Sequence, residues 1–586
     1  MRRTLEILQL NVHKRSEVQQ SLLNDEGLKG YTALAIAEPY ARMINDSVVT
    51  VPMAHHNWTK LIPTTKRDTT WPIRSMLWIR SDIEAEQIPV PSADLTAARL
   101  QLPDRAVLLV SVYVGGGSRE ALETGVREID QLARRFRNGA GTRTDVILAG
   151  DFNRHDQLWG GDDVSPLRQG EGDRIIDLMD EHSLRSLLPR GTKTWQSGDM
   201  ESTIDLMLAS TELADQLLRC TIHHCDHGSD HRAIETAFDI EVEDQPRETR
   251  FLFKNAPWSE IRTRVGSNLQ RTPWGGSVQQ QTDQLMAAVT EAVFSLTPKA
   301  KPSPYAKRWW TTDLTQLRRT YTFWRNQARA RRRIGQTAPD LEQQAKAAAK
   351  NYHEAIRKQK RAHWNDFLTN DANIWQATKY LQTGNGTMGD KVPPLVRHDS
   401  SVTEGKAEQA QELLATFFPP LPVTIEDEGQ RPQRPPVQMP ELTMEEVEQK
   451  VMSAKPWKAP GEDGLPVMVW RQIWPVVKER VLHLFQTSLQ EGDIPSQWRN
   501  AKIIPLKKPG KGDYTLAKAW RPISLLSTLG KVLEAVVAER LSYAVETSGL
   551  LPANHFGARK RRSTEQALLL LQEELYKTWR SRKVLS

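Results

Sequence analysis

Cysteine is almost missing from this 586-residue chain. Cys220 and Cys225 are the only two, which excludes a disulfide framework and points to a reducing compartment. Long hydrophobic runs are missing too. The chain's apolar runs, such as Val146–Ala149 and Leu568–Leu571, fall far short of the roughly 20 apolar residues that span a bilayer as a helix. The opening Met1-Arg2-Arg3-Thr4-Leu5-Glu6 leads straight into a strand-like stretch, without the apolar core and small-residue cleavage site of a signal peptide. No internal repeat stands out. These absences predict a soluble, intracellular protein with no membrane partner.

What remains is ordinary soluble-protein chemistry, with 39% hydrophobic and 26% charged residues, in a chain long enough for roughly three to four domains. The net charge is +7, but it is unevenly spread. Residues 301–380 hold 17 Lys/Arg against 6 Asp/Glu, so the rest of the chain is slightly acidic in sum. Aromatics interleave this basic stretch: Trp309, Trp310, Tyr321, Phe323, Trp324, Tyr352 and Trp364. Cations attract phosphate by counterion release and aromatic planes stack on bases. The same pattern also describes a solvated basic helix whose aromatics pack inward.

The first 240 residues alternate short apolar, β-branched runs with helical stretches. Leu5–Val12, Ala33–Ala37, Ser75–Ile79, Ala106–Val114, Asp145–Ala149 and Thr203–Leu208 read as strands, and Arg119–Arg137 and Gly172–His182 as helices. That mixture predicts an α/β (α+β) domain with buried sheets covered by helices. Residues 241–304 read as a linker with a helix candidate at Thr282–Phe294. Residues 305–385 read as a basic helical hairpin that binds nucleic acid and breaks near Ile334–Pro339. Residues 386–440, with their proline cluster from Phe417 to Pro440, read as an exposed linker. From 441 order returns: Thr443 caps a helix with Glu446 three residues on, and Leu529, Leu533, Val536, Val537 and Leu541 give Leu525–Thr547 a buried face.

Polar residues cluster at the predicted strand ends. Leu10-Asn11-Val12, Ala37-Glu38-Pro39, Ser111-Val112-Tyr113, Gly150-Asp151-Phe152-Asn153, Ser202-Thr203-Ile204-Asp205 and Ser229-Asp230-His231 occur in that order. Phosphodiester hydrolysis asks for such a set: carboxylate oxygens for a hard cation, a group to deprotonate or position water, and donors to the developing phosphorane oxygens. A neighbouring run, Cys220-Thr-Ile-His223-His224-Cys225-Asp-His227, is rich in zinc-type ligands but matches no standard structural zinc spacing. It reads as a strand of mixed exposure.

The six-part set resembles the endonuclease/exonuclease/phosphatase superfamily, which includes abasic-site repair endonucleases and the endonucleases of non-LTR retrotransposons. The resemblance covers roughly residues 4–240 and implies a four-layer α/β sandwich. It further implies that Glu38 holds Mg²⁺, with Mn²⁺ as a substitute, and that Asn11 and Asp230 lie near the metal. Asp151 would orient or deprotonate water, Asn153 fix Asp151 and the phosphate, and Tyr113 bind a phosphate oxygen. His231 would stabilise the transition state, its ring oriented by Asp205. Target choice would lie in loops such as Trp159–Arg168 and Gly191–Met200. There Trp195 offers a ring to stack on a base, although simple packing is the preferred reading for it.

Further strings resemble the opening blocks of a non-LTR retrotransposon reverse transcriptase over residues 441–586. They are Lys455-Pro-Trp-Lys458-Ala-Pro460-Gly461-Glu-Asp463-Gly464, Ile494-Pro495-Ser-Gln-Trp498, Lys502-Ile-Ile-Pro505-Leu-Lys507-Lys508, Trp520-Arg521-Pro522-Ile523-Ser524-Leu525-Leu526, and Phe556-Gly557-Ala-Arg559 before Arg562-Ser563-Thr564. Lys307-Arg308-Trp309-Trp310 resembles the segment between the two enzymes in such proteins. Lys502, Lys507, Arg521 and Arg308 become expected nucleic-acid contacts, as against helix caps or partners of Glu residues. A polymerase needs paired carboxylates for two metal ions. Past Ala567 the acids are Glu573 and Glu574, within a helix. The expectation is therefore an incomplete fingers region without RNA-directed DNA polymerase activity. The implied function is a DNA-nicking endonuclease that primes reverse transcription of element RNA, made in the cytoplasm and acting on chromosomal DNA in the nucleus. An abasic-site or small-phosphoester hydrolase, or an inactive nucleic-acid-binding relic, are the alternatives.

Overall fold

In the computed structural model the described residues are all but 1–2, 45–46, 53–54, 139–142, 169, 244–249, 301–308, 337, 370–372, 374–391, 422–423, 425–438, 509–510, 512 and 584–586. The chain forms two compact units. One comprises Met1–Glu248, Lys301–Leu421 and Pro505–Arg521; the other comprises Thr249–Ala300, Pro422–Ile504 and Pro522–Ser586. No helix among the described residues is long and apolar enough to cross a membrane.

The first unit is built on sixteen strands: β1 (Thr4–Asn11), β2 (Ala33–Ala37), β3 (Ala41–Ile44), β4 (Ser47–Thr50), β5 (Trp58–Leu61), β6 (Ser75–Arg80), β7 (Ala85–Ile88), β8 (Leu95–Gln101), β9 (Arg105–Tyr113), β10 (Arg143–Asp151), β11 (Leu184–Ser186), β12 (Trp195–Ser197), β13 (Met200–Ser202), β14 (Asp205–Ser210), β15 (Leu217–Ile222) and β16 (Ile234–Glu241). Twelve of them form two six-stranded sheets, in the orders β15-β16-β1-β2-β6-β5 and β11-β14-β10-β9-β8-β7.

Side chains alternate across each strand, and both faces of the sheets are apolar. Leu5, Ile7, Ala33 and Leu77 of the first sheet meet Leu100, Val107, Leu109, Ile147 and Met207 of the second in one core. The opposite residues, Leu8, Leu10 and Leu34, pack on Val18 and Leu22 of the helix Ser16–Leu23. Leu108, Val110, Val146 and Leu148 pack on the helices Arg119–Asn138 and Asp173–Glu181. The result is a helix–sheet–sheet–helix sandwich. Its central strands read as continuous apolar runs because both their faces are buried.

The basic stretch folds as the expected hairpin, with helices Thr312–Arg333 and Pro339–Leu368. Its placement differs from that of a free-standing nucleic-acid-binding region. Residues 301–421 share a unit with the sandwich, and one face of the first helix turns inward. Arg318 pairs with Asp25 at 2.8 Å. Arg325 and Arg329 reach Asp226 at 3.4 and 3.0 Å, and the Tyr321 hydroxyl donates to Asp226 at 3.1 Å. On the second helix the Tyr352 hydroxyl donates to Ser21 Oγ at 2.7 Å. Spacings of seven, four and three residues keep Arg318, Arg325, Arg329 and Arg332 along one side of the helix. Trp309, Trp310, Tyr321 and Tyr352 are buried in the hairpin's own core, whereas Phe323 and Trp364 are exposed. Four of the seven aromatics are therefore packing.

Segments read as linkers carry structure. Trp258–Gln270 and Val278–Leu296 are helices whose Ile261, Val265, Leu285 and Val289 share the second unit's core with Val447, Trp470, Ile473 and Phe485. Residues 241–304 are thus not simply a linker; the alanines and glutamines that dilute the pattern of Val278–Leu296 leave just enough apolar surface to build that core. Within 386–440, Lys406–Phe417 is a helix whose Leu413 packs beside Leu395 and Trp520, while 425–438 of the proline cluster lie outside the described residues. The Thr443–Glu446 capping box is present. The helix Thr528–Thr547 buries Leu529, Leu533 and Val536, but Leu541 is exposed, so its buried face ends a turn sooner than its spacing suggests.

The zinc-type run is divided. Cys220 faces the inter-sheet core, and the strand around it alternates in exposure. Asp25, Cys225 and His227 do converge, but the Arg318 guanidinium holds Asp25 and Ser21 Oγ bonds His227 Nδ1 at 3.0 Å.

Burial drives the His227 imidazole down to about 3, against about 6.5 in an unfolded chain. Between those values the unfolded chain binds a proton that the folded one does not, so stability falls as pH falls through that window. A lower urea midpoint at pH 5 than at pH 7.5 is expected, with a smaller difference in His227→Gln. An unchanged difference in that variant rules the histidine out.

Candidate active site

The site is assembled by strand register. Parallel pairing of β9 with β10 puts Tyr113 opposite Asp151, and antiparallel pairing of β10 with β14 puts Asp151 opposite Asp205. Tyr113, Asp151 and Asp205 therefore stand in one row across the end of the second sheet. In the first sheet β1 and β2 pair Asn11 with Ala37, and the chain turns at Glu38, whose φ of 44° is left-handed. Asn153 turns likewise at φ 49°. Strained backbone at two polar strand ends is the kind of feature functional sites retain. Gly150, just before Asp151, admits no side chain, because a Cβ there would lie 1.9 Å from the Val112 carbonyl oxygen.

Asn11, Glu38, Tyr113, Asp151, Asn153, Asp230 and His231 line one cleft of about 900 Å³, with Asp205 buried behind His231. Asp151 is almost fully buried and held by three donors. Asn11 Nδ2 lies 2.9 Å and Asn153 Nδ2 3.0 Å from its Oδ2, and the Asn153 amide 3.0 Å from its Oδ1. Burial, and next the Asp205 charge, push its carboxyl up to about 7.

His231 Nδ1 lies 2.7 Å from Asp205 Oδ2, and Gln9 Nε2 donates to the other Asp205 oxygen at 2.8 Å. Burial pulls the imidazole down, but the Asp205 charge and hydrogen bond outweigh it and raise it to about 9. The ring is thus a cation at neutral pH. Its Nε2 stands 4.0 Å from Asp151 Oδ2, too far for a hydrogen bond and open for a reacting group between them.

Glu38 is buried and already holds a cation, with Lys14 Nζ 2.6 Å from its Oε1 and Asn11 Nδ2 3.5 Å from Oε2. Tyr113 lies beside it. Burial, then the Glu38 charge, push the phenol well above its ordinary range, so it stays a neutral donor. The Arg74 guanidinium stacks 4.5 Å from the Tyr113 ring and is itself fixed by both Asp94 oxygens.

Asp230 is taken up by His13 Nδ1 at 2.9 Å and Trp195 Nε1 at 3.3 Å. Burial opposes ionisation there, but the His13 hydrogen bond and the His231 charge hold the carboxyl well below its usual range. Trp195 therefore does more than pack: it donates to a site carboxylate and lines the cleft. Its loop, read as irregular, is the β12–β13 hairpin.

The residues that sequence reasoning missed are His13, Lys14 and Arg74. The first two follow Asn11 in the same strand end, a position that could have flagged them; Arg74 had no such signal.

A set of Asp151, Asp205 and His231 can also be grouped by distance as ligands. The Nδ1–Asp205 bond occupies that group internally, and a hard cation prefers all-oxygen donors, which favours the Glu38 side of the cleft. Of the expected nucleic-acid contacts, Lys502 and Arg521 are exposed on a two-stranded ribbon (Lys502–Lys507 with Trp520–Leu525). The Lys507 ammonium lies 5.0 Å from the Tyr514 ring, and Arg308 lies outside the described residues.

Fold and site together describe a two-sheet α/β sandwich with one cleft lined by carboxylates, amides and a histidine. Residues 107–235 match the family described as endonuclease-reverse transcriptase. The RNA-directed DNA polymerase from mobile element jockey of Drosophila melanogaster is 23% identical over 503 residues, covering 82% of this chain and 52% of that protein. A putative 115 kDa protein in type-1 retrotransposable element R1DM, also of Drosophila melanogaster, is 25% identical, over 73% of this chain and 42% of its own. Among solved structures, the endonuclease domain of TRAS1, a telomere-specific non-LTR retrotransposon, aligns with TM-score 0.33 and 16% identity, covering 40% of this chain and 99% of that one. The chain spans about half the length of the curated relatives it matches. Residues 107–235 thus match an endonuclease-reverse transcriptase family model, and most of the chain is similar to proteins of mobile elements.

Proposed function

We propose that residues 4–240 hydrolyse phosphodiester bonds in DNA with the help of Mg²⁺, making the nick that primes reverse transcription of element RNA on chromosomal DNA in the nucleus. One observation carries this reading: Asn11, Glu38, Tyr113, Asp151, Asp230 and His231 line a single cleft, with Asp205 bonded to His231 behind it. The mobile-element relatives favour DNA over a small phosphoester as substrate.

The donor set fits a hard cation. Glu38 is a buried carboxylate that already accepts an ammonium, with Asn11 beside it and Asp230 kept ionised across the cleft. When bound there, Mg²⁺ would supply charge neutralisation at the phosphate. Asp151, its carboxyl at about 7 and its oxygens aimed by two asparagines, accepts the proton of the attacking water; a base works best with a pKa near the operating pH. His231, held as a cation by Asp205, donates from Nε2 to a phosphate oxygen. Tyr113 donates from its neutral hydroxyl, and charge stabilisation of this kind contributes several kcal/mol in a water-poor site.

A supercoiled plasmid tests this directly. Open circles should appear with Mg²⁺ and disappear with EDTA, and Glu38→Gln should shift the Mg²⁺ requirement upward by at least about tenfold. Nicking that survives chelation contradicts the metal assignment. An oligonucleotide with one abasic site, cut far faster than intact duplex, would favour the repair-type reading instead. No polymerase activity is assigned to this chain, because residues 441–586 contain no paired aspartates. DNA synthesis on an RNA template by the purified chain would refute that.

A further inference from the structure

A second cavity, of about 470 Å³, opens beside the catalytic cleft and shares Lys193 and Glu201 with it. Its walls carry five cations: Arg190, Lys193 and Arg232 from the sandwich, Arg329 and Arg332 from the first hairpin helix. Glu201 is the one acid among its walls and is paired with Arg232 at 2.6 Å.

The remaining pairings fall into two kinds. Arg190 with Asp162, Lys193 with Asp163 and Arg332 with Asp199 are rim pairs whose carboxylates are 79–100% exposed. Such pairs contribute little and give way to a better anion. Arg332 also bonds Glu342 and donates to the Gly198 carbonyl at 3.2 Å. Arg329 differs. Its side chain is only 12% exposed, one nitrogen is spent on Asp226, and its Nε and Nη2 find no partner among the described residues. Buried guanidinium donors without acceptors are costly, and a phosphate presents the several oxygens that would satisfy them.

We propose that this cavity binds an internucleotide phosphate of the DNA strand, beyond the one being cut, so that the hairpin helix serves as one wall of the substrate track. The assignment rests on the DNA-nicking reading above. It gives the basic region a role its outward cations do not: the arginines that turn inward reach the nucleic acid at the border of the cleft. A phosphate contact of this kind sets position rather than sequence preference, so it should act on binding and not on the chemical step.

The test uses the full chain with Arg190→Gln, Arg332→Gln and the double variant. Binding of a short duplex is followed by fluorescence anisotropy in EDTA, where nothing is cut, over a range of salt. Plasmid nicking with Mg²⁺ gives KM and kcat. The double variant should bind about tenfold more weakly, with the slope of log Kd against log salt reduced by roughly one to two, and with KM raised while kcat stays within about twofold. Unchanged affinity and slope in a folded double variant overturn the site. Arg190→Gln alters only a half-exposed rim residue and keeps the question open to refutation should Arg332→Gln fail to fold. Thermal shift with inorganic phosphate separates the sources: stabilisation of the wild type lost in the variants, with DNA affinity unchanged, would mark a free-anion site and overturn the DNA assignment. A wild-type chain that binds duplex with the expected slope yet never nicks would instead count against the catalytic reading.

Discussion

Asp151→Ala should remove about three orders of magnitude or more of nicking rate and leave the fold in place. The lost rate follows from what the carboxylate does. Burial brings its titration to about 7, and loss of a positioned base alone removes about 10²–10⁴-fold. The stability side is less obvious. Three donors converge on Asp151, so its loss leaves amides unpaired. Yet its raised pKa means that the folded state resists its ionisation, chiefly through burial and then through Asp205. Above pH 7 the folded protein carries an unfavourable charge that the unfolded chain holds freely, and removing it offsets the lost hydrogen bonds. The melting temperature at pH 8 should therefore be unchanged or higher, as measured by circular dichroism.

His231→Ala should match Asp151→Ala in rate but not in stability, because it leaves buried Asp205 with Gln9 as its remaining side-chain donor. His231→Gln keeps a donor there and separates the two effects. Undiminished nicking by either alanine variant would end the assignment.

Asp226→Ala should destabilise the first unit by about 3–5 kcal/mol, a large share of the roughly 5–15 kcal/mol that holds a typical domain together. Asp226 is 6% exposed and meets Arg325, Arg329 and the Tyr321 hydroxyl. Burial opposes its ionisation, but the Arg325 and Arg329 charges outweigh that and hold the carboxyl below its usual range. Removing it strands two largely buried guanidinium groups without their carboxylate. The hairpin should then loosen, and trypsin should cut near 334–338, between its helices, well before it does so in the wild type. Arg331→Ala, on the exposed side of the same helix, should stay within about 0.5 kcal/mol. Urea denaturation of the full chain measures both, and a loss of under 1 kcal/mol in Asp226→Ala would show that the inward pairs do not hold the hairpin.

The catalytic strand ends were readable because their signal is local. Each pairs a buried apolar strand with a polar residue at its tip, and both halves lie within one short stretch of chain, as in Val146–Asp151 followed by Asn153. Where strands are diluted by alanine or a single arginine, as in Leu95–Gln101, the period-2 signal weakens and the strand goes unseen, although its neighbours bury it. The hairpin's two helices were legible, but not the way they face. Its charge count was plain, but which arginines face inward depends on Asp25 and Asp226, which lie far away in the sequence and look like ordinary loop acids. Trp195 was misjudged for the same reason: its partner, Asp230, is 35 residues on. The linker at 241–304 was a misreading of modest amphipathicity, since Ile261, Val265 and Val289 find their counterparts only beyond residue 440.

The order in which the ribosome delivers these pieces has a consequence. Every catalytic side chain has been made by residue 231, but the arginines that neutralise Asp226 arrive about a hundred residues later, and His353, which sits where a Cβ on Gly228 would have to go, later still. At roughly 5–20 residues per second the sandwich waits on the order of ten seconds with two carboxylates, Asp25 and Asp226, uncovered beside the strand end that carries His231. During that interval the nascent domain has its catalytic groups but not the arginines that pair with its two acids, and an expression fragment stopped at residue 240 would be held permanently at that stage.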